Sequence, residues 1–169
     1  MALGDIVLLN DGAFGFNGTQ KHKVASGAAA TIKAGELVLK TPGSAYVTVW
    51  TATNSAKPVV STDWVAGLSM STSTDTASAD GYVEVLPLVA GQIFLGNPKV
   101  AATWDTQAEY DALVGDRVLL DTTAAGVQTL LATDGATYGL VIMPLDISKY
   151  PGKIAFAVKP GCNYLAQAS

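Results

Sequence analysis

The chain has 169 residues, 49% of them hydrophobic and only 14% charged, with a formal net charge of −4. Soluble domains average about 25% charged residues, so either small neutral residues cover this surface or neighbouring chains do. The second alternative is favoured because interface cores are depleted of charge, and a lone arginine, Arg117, leaves no basic patch for nucleic acid.

Residues 1–23 read as an N-terminal arm. A short strand at 5–9 leads into Asn10-Asp11-Gly12, Gly15, Asn17 and Gly18, a turn-forming stretch that loses much entropy on ordering. Such a segment is either fixed by docking on a partner or frays as a terminus. Its candidate partner-binding residues are Phe14, Phe16, Asn17, Lys21, His22 and Lys23. Lys21-His22-Lys23 is the one local basic cluster, read as a solvated turn or as a contact to an acidic surface.

From Ala28 onward the signals are β. Strands are predicted over 31–38, pivoting on Ala34-Gly35, then at 46–51, 64–70, 82–86 and 92–95. Thr41-Pro42-Gly43 and Gly96-Asn97-Pro98 are turns, and the Ser/Thr/Asp stretch 71–80 has the composition of a flexible loop. The spacing of Ala108, Tyr110, Ala112 and Leu113 predicts a helix over 106–114, capped by Asp105 or Thr106 and stopped by Gly115. Strands resume at 116–120, 127–131, 138–143 and 153–158. In the last, Ile154, Phe156 and Val158 share one face while Ala155 and Ala157 share the other. The pattern predicts an all-β sandwich or barrel with one short helix and the extended arm.

A phrase repeats. Gly35-Glu36-Leu37-Val38-Leu39 precedes Val65-Ala66-Gly67-Leu68-Ser69-Met70 and then Gly81-Tyr82-Val83-Glu84-Val85. Gly115-Asp116-Arg117-Val118-Leu119 precedes Thr137-Tyr138-Gly139-Leu140-Val141-Ile142 and then Gly152-Lys153-Ile154-Ala155-Phe156. Aligning Gly81 with Gly152 keeps Val83 with Ile154 and Val85 with Phe156; aligning Gly67 with Gly139 places Leu68 with Leu140. Two related β units follow, at 24–100 and 115–169, joined by a linker and helix at 101–114, as two domains or one compact one. A third copy of the phrase, Gly4-Asp5-Ile6-Val7-Leu8, lacks the sequel.

Little points to catalysis. His22 is the sole histidine and Cys162 the sole cysteine, so a triad, a zinc site and an intrachain disulfide all lack their parts. The carboxylates Asp75 and Asp80, and Asp105, Glu109 and Asp111, read as caps and solubilising groups, without the spacing of a calcium loop. No catalytic residue, metal or cofactor is expected. Trp50, Trp64 and Trp104 are read as core or interface aromatics, with a sugar-stacking platform as the alternative. Asp5 interrupts any secretory signal, and the stretch 86–95 is broken by Pro87, Gly91 and Gln92, too short for a membrane helix. The chain reads as soluble, made in a cytoplasm, with no membrane partner.

The succession Gly-acid-x-Val-Leu, Gly-Leu and Gly-x-Val-x-Val, with its Thr/Ser/Ala-rich loops, resembles the small β-rich decoration (cement) proteins of tailed-bacteriophage heads. The likeness spans roughly residues 24–160, and the helix and doubled unit make this chain longer than the simplest members. It implies a non-enzymatic virion protein on the capsid exterior, bound to the lattice of the major capsid protein and often a homotrimer, which stabilises the capsid by bridging coat subunits. The rival is a carbohydrate- or receptor-binding module of a phage fibre or adhesin, working through exposed Trp and Tyr.

Overall fold

The computed structural model describes residues 6–10, 18–28, 30–49, 58–59, 63–89, 91–99, 104–122, 127–133 and 139–163. Their strands are β1 (Val7–Asn10), β2 (Gln20–Val24), β3 (Leu37–Lys40), β4 (Val47–Val49), β5 (Trp64–Ser69), β6 (Gly81–Pro87), β7 (Ile93–Gly96), β8 (Arg117–Thr122), β9 (Gln128–Thr133), β10 (Leu140–Ile142) and β11 (Ile154–Val158). The helix is α1 (Gln107–Leu113), and a 3-10 turn lies at Pro160–Cys162. The all-β class with one short helix is as expected.

Two antiparallel sheets result. One runs β2-β6-β5-β3-β4 and the other β1-β7-β11-β10-β8-β9. Without β1, each sheet places its five strands in the order first, fifth, fourth, second, third. Each also curls until its first and third strands touch, through a parallel bridge at Lys23↔Tyr46 in one and Pro98↔Leu130 in the other.

The repetition extends to single hydrogen bonds. Gly35 N–H donates to Ser69 O (2.9 Å) and Ser69 N–H to Glu36 O (2.8 Å), as Gly115 N–H donates to Ile142 O (3.0 Å) and Ile142 N–H to Asp116 O (2.9 Å). Met70 N–H donates to Glu84 O (2.7 Å) and Met143 N–H to Ala155 O (2.9 Å). Gly35 and Gly115 both turn with positive φ, 86° and 94°, where a Cβ would be strained. The Gly-acid phrase is thus the turn that hooks each unit's second strand onto the end of its fourth.

These bonds correct two sequence readings. They pair Gly67 with Leu140 rather than with Gly139, one residue away from the sequence alignment. The two glycines answer different crowding: a Cβ on Gly67 would lie 2.0 Å from Leu86 O, and one on Gly139 would lie 2.1 Å from Cys162 Sγ. The unit boundary also moves. β7 pairs with β11 (Phe94↔Phe156), so the second unit begins at β7 and the first ends with β6.

The expected arm differs too. β1 is an edge strand of the second sheet, with Val7 opposite Leu95 and Leu8 opposite Phe94. β2 lies against β6 along its whole length. Residues 7–10 and 20–23 are therefore strands of the body, while Phe14, Phe16 and Asn17 lie outside the described residues. The stretch 71–80 is tied down: Ser73 N–H donates to Ile32 O (2.8 Å), Thr74 N–H to Tyr82 O (3.0 Å) and Gly27 N–H to Thr76 O (2.9 Å). Its hydroxyls serve as backbone partners, with Ser73 Oγ accepting from Ile32 N–H (3.2 Å) and Ser71 Oγ from Glu84 N–H (3.0 Å).

Two apolar clusters form among the described residues. The smaller, inside the first sheet's curl, contains Val24, Ile32, Val38, Val47, Val49, Ala66, Val83 and Val85. The larger joins Leu37, Leu39, Val65 and Leu68 of the first sheet to Phe94, Val118, Leu120, Leu130, Leu140, Ile142, Ile154 and Phe156 of the second. Polar fastening accompanies it: the buried Gln128 amide of β9 accepts from Leu37 N–H (2.8 Å) and donates to Leu37 O (2.9 Å). The helix is capped at Thr106, whose hydroxyl accepts from Glu109 N–H while the Glu109 carboxylate accepts from Thr106 N–H. Of its predicted inward residues Tyr110 is buried, while Ala108 and Ala112 are exposed. Tyr110 Oη donates to Met143 O and accepts from Ala155 N–H, both at 3.0 Å, fixing the helix on the second sheet.

Two substitutions test this frame by chemical denaturation. Gly67→Ala forces β5 away from β6 and is expected to destabilise by about 2–4 kcal/mol, through overpacking in a core strand. Gln128→Leu leaves both polar groups of Leu37 buried and unpaired and is expected to lower stability by about 2–3 kcal/mol.

Candidate docking surface

β2 and β6 alternate strictly between the interior and the outside. Val83 and Val85 point into the smaller core, and Tyr82 and Glu84 point out. On β2, Lys21 and Lys23 are exposed while Val24 is buried. Antiparallel pairing sets Lys21 opposite Glu84 and Lys23 opposite Tyr82. The Lys21 ammonium lies 4.5 Å from the Tyr82 ring centroid, and that of Lys23 lies 6.0 Å from the centroid of Tyr46, within cation–π reach. Both ammonium groups thus sit over aromatic faces while the lysines remain exposed.

Asp80 anchors the rim. Its carboxylate accepts from Ser26 N–H and from Tyr46 Oη, both at 2.9 Å. The Ser26 amide first and the Tyr46 hydroxyl second hold the carboxyl below its usual range. The same hydrogen bond, with the carboxylate's charge, raises the Tyr46 phenol. Beside Glu84 lies Met70, 51% exposed, and Tyr82 is 40% exposed. Lys21, Lys23, Tyr46, Tyr82, Met70 and Asp80 thus form a fixed surface with charged, aromatic and thioether groups together.

His22 lies within β2, half-buried. Burial first, and the Lys40 charge second, hold its imidazole below the ordinary 6.5. The structure brings Lys21, His22 and Lys23 together as consecutive residues of one strand, with alternating exposure.

Of the sequence-selected aromatics, Trp50 lies outside the described residues. Trp64 is half-buried in β5. Trp104 is 5% exposed and packs edge-on to Tyr110 at 5.6 Å between ring centroids, which makes it a core residue and not a stacking platform. Trp104 borders a groove of about 660 Å³ with Asp105, Gln107, Asp146, Ser148 and Gly152. The groove's amide and one carboxylate are engaged internally: Gln107 donates to Asp111 and to Leu145 O and accepts from Ile147 N–H, and Asp146 accepts from Ser148 and Lys149. Glu109 serves the helix cap and Asp75 accepts from Ser73 Oγ at 2.6 Å. Among the described residues no group of three His, Cys, Asp or Glu side chains is placed to hold a metal.

Sequence reading missed Tyr46, Met70, Asp80 and Tyr82 as surface partners of the lysines. The usable signal was Tyr82-Val83-Glu84, whose period of two points its polar ends away from a core. Which strand lay opposite was not encoded locally. Compared with known proteins, the chain matches no family model, no curated sequence and no solved structure.

The imidazole gives a pH test. Because the folded state holds His22 below its unfolded value, the unfolded chain binds the proton more readily. The histidine's contribution is therefore complete above about pH 6.5 and falls as pH drops through that value, levelling off below the folded pKa. Urea midpoints of the wild type and His22→Gln, compared at pH 7.5 and 5, are expected to diverge toward acid, with the variant losing less stability.

Proposed function

We propose that this chain is a structural protein of a tailed-phage head, docking on the outer surface of the assembled capsid and stabilising it by bridging coat subunits. The observation that carries the reading is the Lys21–Tyr82 and Lys23–Tyr46 surface. It places cationic and aromatic groups side by side on a rigid sheet, in a chain whose net charge is −4. Aromatic residues and Met are enriched at binding interfaces, and an acidic partner face would meet the lysines. Low overall charge supports burial of further surface between copies, and we assign a homotrimer.

A protein that binds only the assembled lattice shifts assembly toward the shell by mass action, and several weak contacts per oligomer raise its occupancy by avidity. No catalytic step is part of this role. The carbohydrate-binding reading is less well supported, because Trp104 is buried in the core.

The test is co-sedimentation with phage heads depleted of this protein. Wild-type chain is expected to saturate the shell and raise its disruption temperature. Lys21→Glu with Lys23→Glu is expected to weaken binding about tenfold or more, with the fold intact, since exposed positions tolerate substitution. Undiminished binding by the double variant would overturn the assigned face, and absence of wild-type binding would overturn the capsid role. Sedimentation of the free chain checks the trimer, and a monomer at high concentration would reject it. Deleting residues 1–23 is not a clean test, since it removes β1 and β2 from the two sheets.

A further inference from the structure

The two halves differ at one equivalent edge. In the second sheet, the edge of β7 that faces away from β11 carries β1, with Val7 opposite Leu95 and Leu8 opposite Phe94. The corresponding strand of the first sheet is β2. Its Gln20 pairs with Val85 as Phe94 pairs with Phe156, and its Lys21 pairs with Glu84 as Leu95 pairs with Ala155. Farther along, both strands bridge to their unit's third strand, through Lys23↔Tyr46 and Pro98↔Leu130. The position that β1 fills beside Phe94 and Leu95 therefore has a counterpart beside Gln20 and Lys21. Among the described residues β2 has one full strand neighbour, β6, and Thr19 just ahead of it is exposed.

We infer that this edge, Thr19 to Lys21, takes up an extended segment of the docking partner as an added antiparallel strand. Main-chain hydrogen bonds supply affinity in such strand addition, and alternate side chains supply selectivity. The chemistry of the segment follows from its surroundings. The occupant of the equivalent place is an extended apolar strand preceded by an acid, Asp5-Ile6-Val7-Leu8. Lys21 and Lys23 add a cationic rim on the exposed face. The fitting partner is thus an extended peptide segment with alternating apolar residues and at least one carboxylate near the lysines. Lysines also discourage indiscriminate pairing of a sheet edge, so an acidic strand is admitted where a neutral one is resisted. This inference rests on the docking role proposed above and specifies how it is carried out.

The probe is a synthetic peptide with the sequence of residues 4–10, Gly-Asp-Ile-Val-Leu-Leu-Asn, added to the full chain while amide exchange is followed residue by residue. The expected result is slowing of exchange at Thr19–Lys21 by about tenfold or more. It should persist in Lys21→Ala at higher peptide concentration and vanish for a peptide with Pro in place of its Val. No protection at Thr19–Lys21, or changes confined to Phe94 and Leu95 through exchange with β1, would overturn it. The same measurement on head-bound protein separates the two proposals. Head binding with unchanged exchange at Thr19–Lys21 rejects strand addition and leaves docking standing. Peptide protection without head binding retains strand addition and rejects the capsid role.

Discussion

Strands β3 and β5 are buried on both faces, and the rest of the molecule is arranged around that constraint. Leu37, Leu39, Val65 and Leu68 contribute to the larger cluster while Val38 and Ala66, from the same strands, fill the smaller. Burying one aliphatic side chain of this size contributes about 1.5–3 kcal/mol, so a strand serving two cores contributes on both sides. The requirement is that almost no polar side chain can sit in it. Ser69, the buried polar residue of β5, is 1% exposed and fully employed: its hydroxyl accepts from Glu36 N–H, and its single proton points at the pair of carbonyls Lys33 O and Glu36 O. The backbone of β3 faces the same restriction at Leu37, and the Gln128 amide meets it by pairing with Leu37 as a neighbouring strand would. A register shift between Val38 and Leu39, opposite Gly67 and Val65, re-aims the side chains so that both clusters are supplied.

The doubled unit explains how so few charges suffice. Each half repeats one five-strand plan, and the halves share the larger core, so the chain has less outer surface per apolar residue than two separate small domains would. The halves diverge where the plan leaves freedom. Ahead of the Gly-acid turn the first unit has the tied loop that supplies Ile32 to its core, and the second has α1, which supplies Tyr110. Beside the first strand the second unit has β1, and among the described residues the first unit has no counterpart to it. Those differences lie outside the repeated hydrogen bonds, as expected if the bonds define the scaffold and the additions individualise it.

Legibility in the sequence followed the range of the signal. The Gly-acid phrase was readable as a repeat, but it was read within a strand over 31–38 and not as the positive-φ turn it forms; α1 was readable because its cap at Thr106 and its stop at Gly115 are local signals. The alternation of Ile154 and Phe156 with smaller residues revealed β11 without help. β2 was read as part of an arm because Gln20-Lys21-His22-Lys23 has no apolar period; its only fully buried residue is Val24, and its strand character comes from β6, far along the chain. The offset between Gly67 and Gly139 was invisible for a related reason. Both glycines avoid a collision, but with different partners, Leu86 O and Cys162 Sγ, and sequence cannot distinguish the causes. The candidate docking surface was half legible: the lysines were evident, but the tyrosines under them arrive from β6 and from the residue before β4.

That last gap bears on how a low-charge protein presents a usable surface. A lysine in a loose arm would lose its rotamer freedom on every binding event, which opposes association. Here Lys21 and Lys23 project from a paired strand and lie over Tyr82 and Tyr46, and Tyr46 is itself held by Asp80. Part of the ordering is thus complete before a partner arrives. Moving the basic residues from an arm into a sheet therefore strengthens the physical basis for docking, and it changes its expected character. A rigid patch selects by fit and charge, whereas a flexible arm would select by wrapping. In the strand addition inferred above, pairing at Thr19–Lys21 would take place within reach of the same two lysines, so charge and register would act on one partner segment together.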